Sequence, residues 1–122
     1  MGTFKVGCKV ENISDRSLSL VVKNVLVDTG SEYTWLAEAT LRKIKIAVEK
    51  KDVSFVMANG QNITRSVGFA LIRVDGAFTV DEVVFAQPGD LQLLGARTLE
   101  GLNLVVNSRD KKLAAAGPIV VA

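Results

Sequence analysis

The 122-residue sequence contains no histidine. That gap removes Ser-His-Asp and Cys-His catalysis, together with the His-bearing zinc patterns, because each needs an imidazole as base or ligand. A single cysteine, Cys8, excludes an internal disulfide and gives no support for an oxidising compartment; its expected place is as a small core residue. No apolar run approaches the roughly 20 residues that a membrane span needs. The start, Met1-Gly2-Thr3-Phe4-Lys5, carries no long apolar segment behind a basic one, so the expectation is a cytoplasmic chain with no membrane partner. Fifteen basic against thirteen acidic residues leave a net charge of +2. The loose basic groups Arg42, Lys43, Lys45 and Lys50, Lys51 flank apolar positions and read as solvated faces or turn ends, so no nucleic-acid partner is expected. Acid and base chemistry is left to Asp, Glu, Lys, Tyr or a bound ligand, with carboxylates first.

What is present has the composition of an ordinary packed protein, 48% hydrophobic and 23% charged, and the length fits one domain over residues 1–122. Short β-favouring runs recur between turn signals, at 4–10, 18–22, 25–27, 53–57, 63–74, 78–85, 91–94 and 102–106. Asn59-Gly60 and Asp75-Gly76 tolerate positive φ, and each is expected to close a two-residue hairpin. Gln87-Pro88-Gly89-Asp90 places Pro and Gly where a type II turn wants them. One helix is expected over Leu36 to Ile46, with Glu38 early and Arg42 and Lys43 late as the helix dipole prefers, and a short helical turn after Gly95. Few helices and short, closely spaced strands predict an all-β fold, a small closed or sandwich-like barrel. The apolar ending Ala114 to Ala122 is expected to be covered by something, since an uncovered end is ordinarily polar.

Asp28 stands out among the acidic residues. It directly follows Val25-Leu26-Val27, so its carboxylate emerges at the end of an apolar strand, where desolvation of the charged form is costly without compensation. Thr29-Gly30-Ser31 follow. If Asp28 is catalytic, Gly30 lets backbone amides approach the carboxylate, Thr29 offers a hydroxyl to lock the loop, and Ser31 is placed to hydrogen-bond the outer carboxyl oxygen. Asp-Thr-Gly taken alone is more often a turn sequence, and Tyr33 and Trp35 beside an apolar helix are more often core aromatics than ligand contacts.

The longer run Val25-Leu26-Val27-Asp28-Thr29-Gly30-Ser31-Glu32-Tyr33-Thr34-Trp35 resembles the signature of the aspartic proteases. Leu93-Leu94-Gly95-Ala96-Arg97-Thr98-Leu99 resembles the block that, in retropepsin-like domains, returns the chain beneath the active-site loop. Between them, Phe55 to Ile63 falls where such domains carry a flap over bound peptide, with Ala58, Asn59, Gly60 and Gln61 at its tip. Pro88 and Gly89 match the loop bordering the substrate groove, though a plain turn explains them too. The resemblance, from about Lys23 to Asn107, implies a closed acid-protease β barrel, one lobe per chain, acting on polypeptide with no metal or organic cofactor. It also implies a bracing ion pair to an Arg immediately after the later Gly, for which Glu32 and Arg97 are the candidates, although Ala96 shifts the Arg by one position.

The chemistry requires two carboxyls sharing one proton, one to activate water and the other to protonate or polarise the scissile carbonyl. No second Asp-Thr-Gly occurs, so the partner carboxyl must come from an identical chain across a two-fold axis. A homodimer is the expectation. Ile119-Val120-Val121 then has two readings: it interleaves with the partner's end, or it completes its own subunit's sheet. A homodimeric peptide-binding module that keeps the fold without cleavage is the alternative function, and a plain structural barrel whose Asp28 caps a turn is a remote third.

Overall fold

The computed structural model describes residues 4–121, and among these the chain forms nine strands and two short helices. In chain order they are β1 (Lys5–Glu11), β2 (Ser19–Val27), β3 (Thr34–Ala37), α1 (Glu38–Lys43), β4 (Lys50–Val56), β5 (Asn62–Val74), β6 (Ala77–Ala86), β7 (Leu93–Leu94), α2 (Ala96–Gly101), β8 (Leu104–Asn107) and β9 (Lys112–Ala115). The fold is mostly β, as the strand-and-turn pattern predicts.

Seven strands make one sheet in the order β1-β2-β7-β3-β6-β5-β4, and β5 also returns to pair with β1 through Lys9, Val10 and Glu11. The sheet curls on itself. Its wall is thin at β7, which has two residue pairs with β2 and one with β3. The expected closed barrel is therefore a curled sheet strapped together at one short strand. Inside lie Phe85, Leu36, Leu41, Ile72, Leu94 and Val10, all fully buried. Cys8 is buried among them, and burial pushes its thiol up to about 11, so it stays a neutral, inert core residue.

Local chemistry explains the turns. Asp75 and Gly76 both have positive φ between the paired residues Val74 and Ala77, the two-residue hairpin expected. At the other hairpin, Gly60 N–H donates to Met57 O and Met57 N–H to Gln61 O, both at 2.8 Å, and of the tip residues only Gly60 has positive φ. This is a three-residue loop with a glycine bulge rather than the two-residue turn expected at Asn59-Gly60. Asn59 instead spends its side chain on the backbone, Oδ1 accepting from Gln61 N–H at 2.9 Å. The predicted break at Lys23-Asn24 is likewise a bulge inside one continuous β2, where the β1 register shifts and Asn24 takes φ 62°.

The predicted helix over Leu36 to Ile46 shrinks to Glu38–Lys43. Leu36 belongs to β3, parallel to β6 and paired with Phe85, and Lys45 at φ 59° ends the helix. Ile44 and Ile46 are buried beyond it, so their helical spacing reflects a core-facing loop. Asn12 secures that exit by donating from Nδ2 to Ile44 O and Lys45 O, each at 2.9 Å. The run at 102–106 starts two residues late because Leu102 caps α2, and β9 was not expected.

β8 and β9 form a separate two-stranded hairpin, and Asn103 ties its end down by donating from Nδ2 to Gly117 O at 2.9 Å. Beyond Gly117 the described residues form no strand, and Ile119, Val120 and Val121 are 75%, 91% and 90% exposed. The reading in which they complete their own subunit's sheet is thereby corrected. No helix among the described residues is long and apolar enough to cross a membrane.

Glu11, at the end of β1, is buried between Arg16, 2.7 Å from Oε1, and Arg73, which bonds Oε2. Burial pushes its carboxyl up, but the two guanidiniums outweigh this and hold it below the usual glutamate range. A carboxyl depressed in the folded state stabilises above its unfolded pKa, about 4.3, and that contribution disappears as pH falls through the folded value. Glu11→Gln is expected to be about 2 kcal/mol less stable at neutral pH. Its urea midpoint should then fall less steeply than that of the parent chain between about pH 5 and 3; equal slopes would show that Glu11 does not carry this acid sensitivity.

Candidate active site

Asp28 leaves the sheet at the end of β2, beside β7. Leu26 and Val27 pair in parallel with Leu93 and Leu94, and Asp28 N–H donates to Leu94 O at 3.0 Å. The backbone of the acid is thus an extension of the ladder and cannot drift without breaking it. Its carboxylate accepts from Gly30 N–H at Oδ1, 2.9 Å, and Ser31 N–H donates to Asp28 O at 3.2 Å. Asp28 is half-buried, and Thr29 and Gly30 are exposed, so the carboxyl faces a solvent-reachable surface.

The expected role of Ser31 changes. Its hydroxyl donates to Tyr33 O at 3.0 Å, which closes the loop rather than bonding the Asp28 carboxyl. The locking expected of Thr29 falls to Thr34 and Thr98. Gly95 N–H donates to Thr34 Oγ1 at 3.0 Å, Thr34 and Thr98 hydroxyls are 2.5 Å apart, and Thr98 Oγ1 donates to Asp81 Oδ2 at 2.9 Å. An N–H that only donates stands at one end and a carboxylate that only accepts at the other, so the hydroxyl protons all point from Gly95 toward Asp81. Both threonines are fully buried.

The second block clamps the loop from below. Ala96 N–H donates to Ser31 O at 2.7 Å and Arg97 N–H to Glu32 O at 3.2 Å. Gly95 has an ordinary extended backbone, but a Cβ there would lie 2.3 Å from Tyr33 O and 2.7 Å from Glu32 O. Only glycine permits this approach. The side-chain brace expected between Glu32 and Arg97 is not formed. Arg97 lies over the Tyr33 ring at 4.9 Å and faces Glu82 at 3.5 Å and Asp81 at 4.0 Å, because the extra Ala96 turns it toward β6. Lys50, 2.5 Å from Glu82, holds that carboxyl below its usual range from the start of β4.

The β4–β5 hairpin, the expected flap, is anchored through Phe55, whose ring packs edge-on to Tyr33 at 5.4 Å and tilted against Trp35 at 5.1 Å. Trp35 is buried with Val67, Val84, Ala86 and Leu93 in a small second core beneath the hairpin, and the half-buried Tyr33 packs against it. Ala58, Asn59, Gly60 and Gln61 are exposed at the tip. Pro88 and Gly89 form the expected turn, with Asp90 N–H donating to Gln87 O at 2.9 Å, and an open cleft of about 400 Å³ runs between this turn and α1. Among the described residues no three Cys, Asp or Glu side chains gather as a metal site would require.

Residues 13–109 match a family described as aspartyl protease. The chain belongs to the aspartyl protease family. The matched span contains the Asp28 loop, the β4–β5 hairpin and the Leu94-Gly95 clamp. No curated protein matches this chain. What sequence reading misses in this aspartyl protease is its buried hydroxyl relay. The available signal is Thr34 in an otherwise apolar strand and Thr98 within the Leu93 to Leu99 block, polar residues where burial is expected.

Proposed function

We propose that two copies of this chain form a retropepsin-like aspartic endopeptidase in which the paired Asp28 carboxyls share a proton. One carboxylate takes a proton from water as the oxygen attacks the peptide carbonyl carbon, and the other gives its proton to the carbonyl oxygen. Collapse of the tetrahedral species then breaks the C–N bond as the amine gains a proton. The observation that carries this reading is a single Asp-Thr-Gly loop whose carboxylate is held by Gly30 N–H while its backbone is built into the sheet. Exposed Val56 on the flap and Leu91 after the Pro88-Gly89 turn favour an extended peptide with apolar side chains. A non-cleaving, dimeric peptide-binding module is the second reading, favoured by the Ser31 hydroxyl being committed to Tyr33 O instead of the carboxyl.

Two measurements test the proposal. The kcat/KM for an apolar peptide should follow a bell over acid to neutral pH, one limb for each proton of the dyad; a flat profile would count against a shared proton. Truncation after Gly117 removes exposed Ile119, Val120 and Val121 but keeps the Asn103 tie, so the β8–β9 hairpin should stay folded while sedimentation reports a shift from dimer to monomer. An undiminished dimer would sink the interleaved-end arrangement.

A further inference from the structure

Arg65 lies on β5, the return strand of the flap, with its backbone paired to Val53 of β4. Its guanidinium meets Asp90 as a fork, Nε 2.7 Å from Oδ2 and Nη2 2.9 Å from Oδ1, while Nη1 donates to Thr64 O at 2.8 Å. Both side chains are mostly buried, at 19% and 12% exposure. Asp90 is also the closing residue of the Pro88-Gly89 turn, and its Oδ2 accepts from Gln87 N–H at 2.8 Å. One carboxylate thus braces the groove turn internally and fastens it to the flap strand.

The sheet does not need this contact to form, since β5 is held along its length by β4, β6 and β1. The loop after β6 has no such ladder until Leu93, and a bidentate arginine fixes orientation as well as distance. We propose that Arg65 is a positioning residue that clamps the flap to the groove turn, so that the walls carrying Val56 and Leu91 are set as one unit against bound peptide. This rests on the peptidase reading above. The clamp sets groove width, and its contribution belongs to substrate binding and selectivity rather than to the chemical step. The Arg65 guanidinium holds the Asp90 carboxyl below its usual range, so the pair stays charged in mildly acid solution where a shared-proton dyad works.

The test uses the full chain with Arg65→Gln, Asp90→Asn and both together, followed by amide hydrogen exchange and by cleavage of a peptide carrying apolar residues. Each single change should speed exchange about tenfold in both segments, 56–62 and 87–92, and the double change should do no more than either alone. KM should rise several-fold, about three- to tenfold, with kcat nearly unchanged. Effects confined to the mutated segment, or adding in the double variant, would overturn the clamp. Arg65→Lys keeps the charge without the fork and should show a smaller rise in both segments; it carries the same comparison if the glutamine variant does not fold. Coupled exchange in a chain that cleaves nothing leaves the mechanical link standing and defeats the peptidase reading, whereas cleavage with uncoupled exchange does the reverse.

Discussion

Asp28→Asn chains are expected to fold and associate as the parent does and to lose cleavage by about 10²–10⁴-fold or more in kcat. The amide is nearly isosteric, and Gly30 N–H still finds an oxygen to donate to, so the loop keeps its geometry. What disappears is the capacity to accept a proton from water. Because both acids of the proposed pair are the same residue, one substitution removes both. Unchanged Tm and sedimentation alongside lost turnover is the decisive combination, with denatured protein as substrate between about pH 4 and 7. Cleavage that survives in the variant would end the enzymatic assignment, since no other acid of the chain occupies an equivalent loop.

Gly95→Val should produce the largest loss of stability. Gly95 φ and ψ are −89° and 173°, which any residue adopts, so the cost is contact and not backbone strain. The new Cβ would stand 2.3 Å from Tyr33 O and 2.5 Å from Tyr33 C, both backbone atoms that have no rotamer to yield. Relief requires separating β7 and α2 from the Asp28 loop, which sacrifices the bonds from Ala96 to Ser31 and from Arg97 to Glu32. A loss of about 3 kcal/mol or more follows, a fall in Tm of roughly 10 °C for a chain of this size, and inactivity even where the variant folds. Gly95→Ala brings the same first atom and should approach the same loss. A Tm within about 2 °C of the parent would show that the loop and clamp are not rigidly apposed.

The parts of this fold that could be read beforehand are those whose cause is local. Asp75-Gly76 and Pro88-Gly89 dictate their turns through φ alone, and Val25-Leu26-Val27-Asp28 announces an acid leaving an apolar strand. Leu36 was misassigned because three- and four-residue spacing is also produced by a strand, a short helix and a buried loop placed end to end. Strand β9, Lys112–Ala115, lacks β-branched residues and exists because it pairs with β8. The site's supports were least legible. Thr34 and Thr98 are 64 residues apart, Thr98 and Asp81 17, Arg65 and Asp90 25, and no periodicity connects side chains across such distances. The Arg97 contact is different: the one-residue shift at Ala96 is legible in the sequence, but not the strand to which it redirects the long side chain.

The two residues of β7 close the curled sheet and receive the Asp28 amide through Leu94 O. Displacing the acid and opening the wall are consequently a single event. The Asp28 amide should be among the last in the chain to take up deuterium, and heat or denaturant should never populate an intact shell with a misplaced acid. Release of the Asp28 loop and unfolding of each subunit ought to follow one and the same curve.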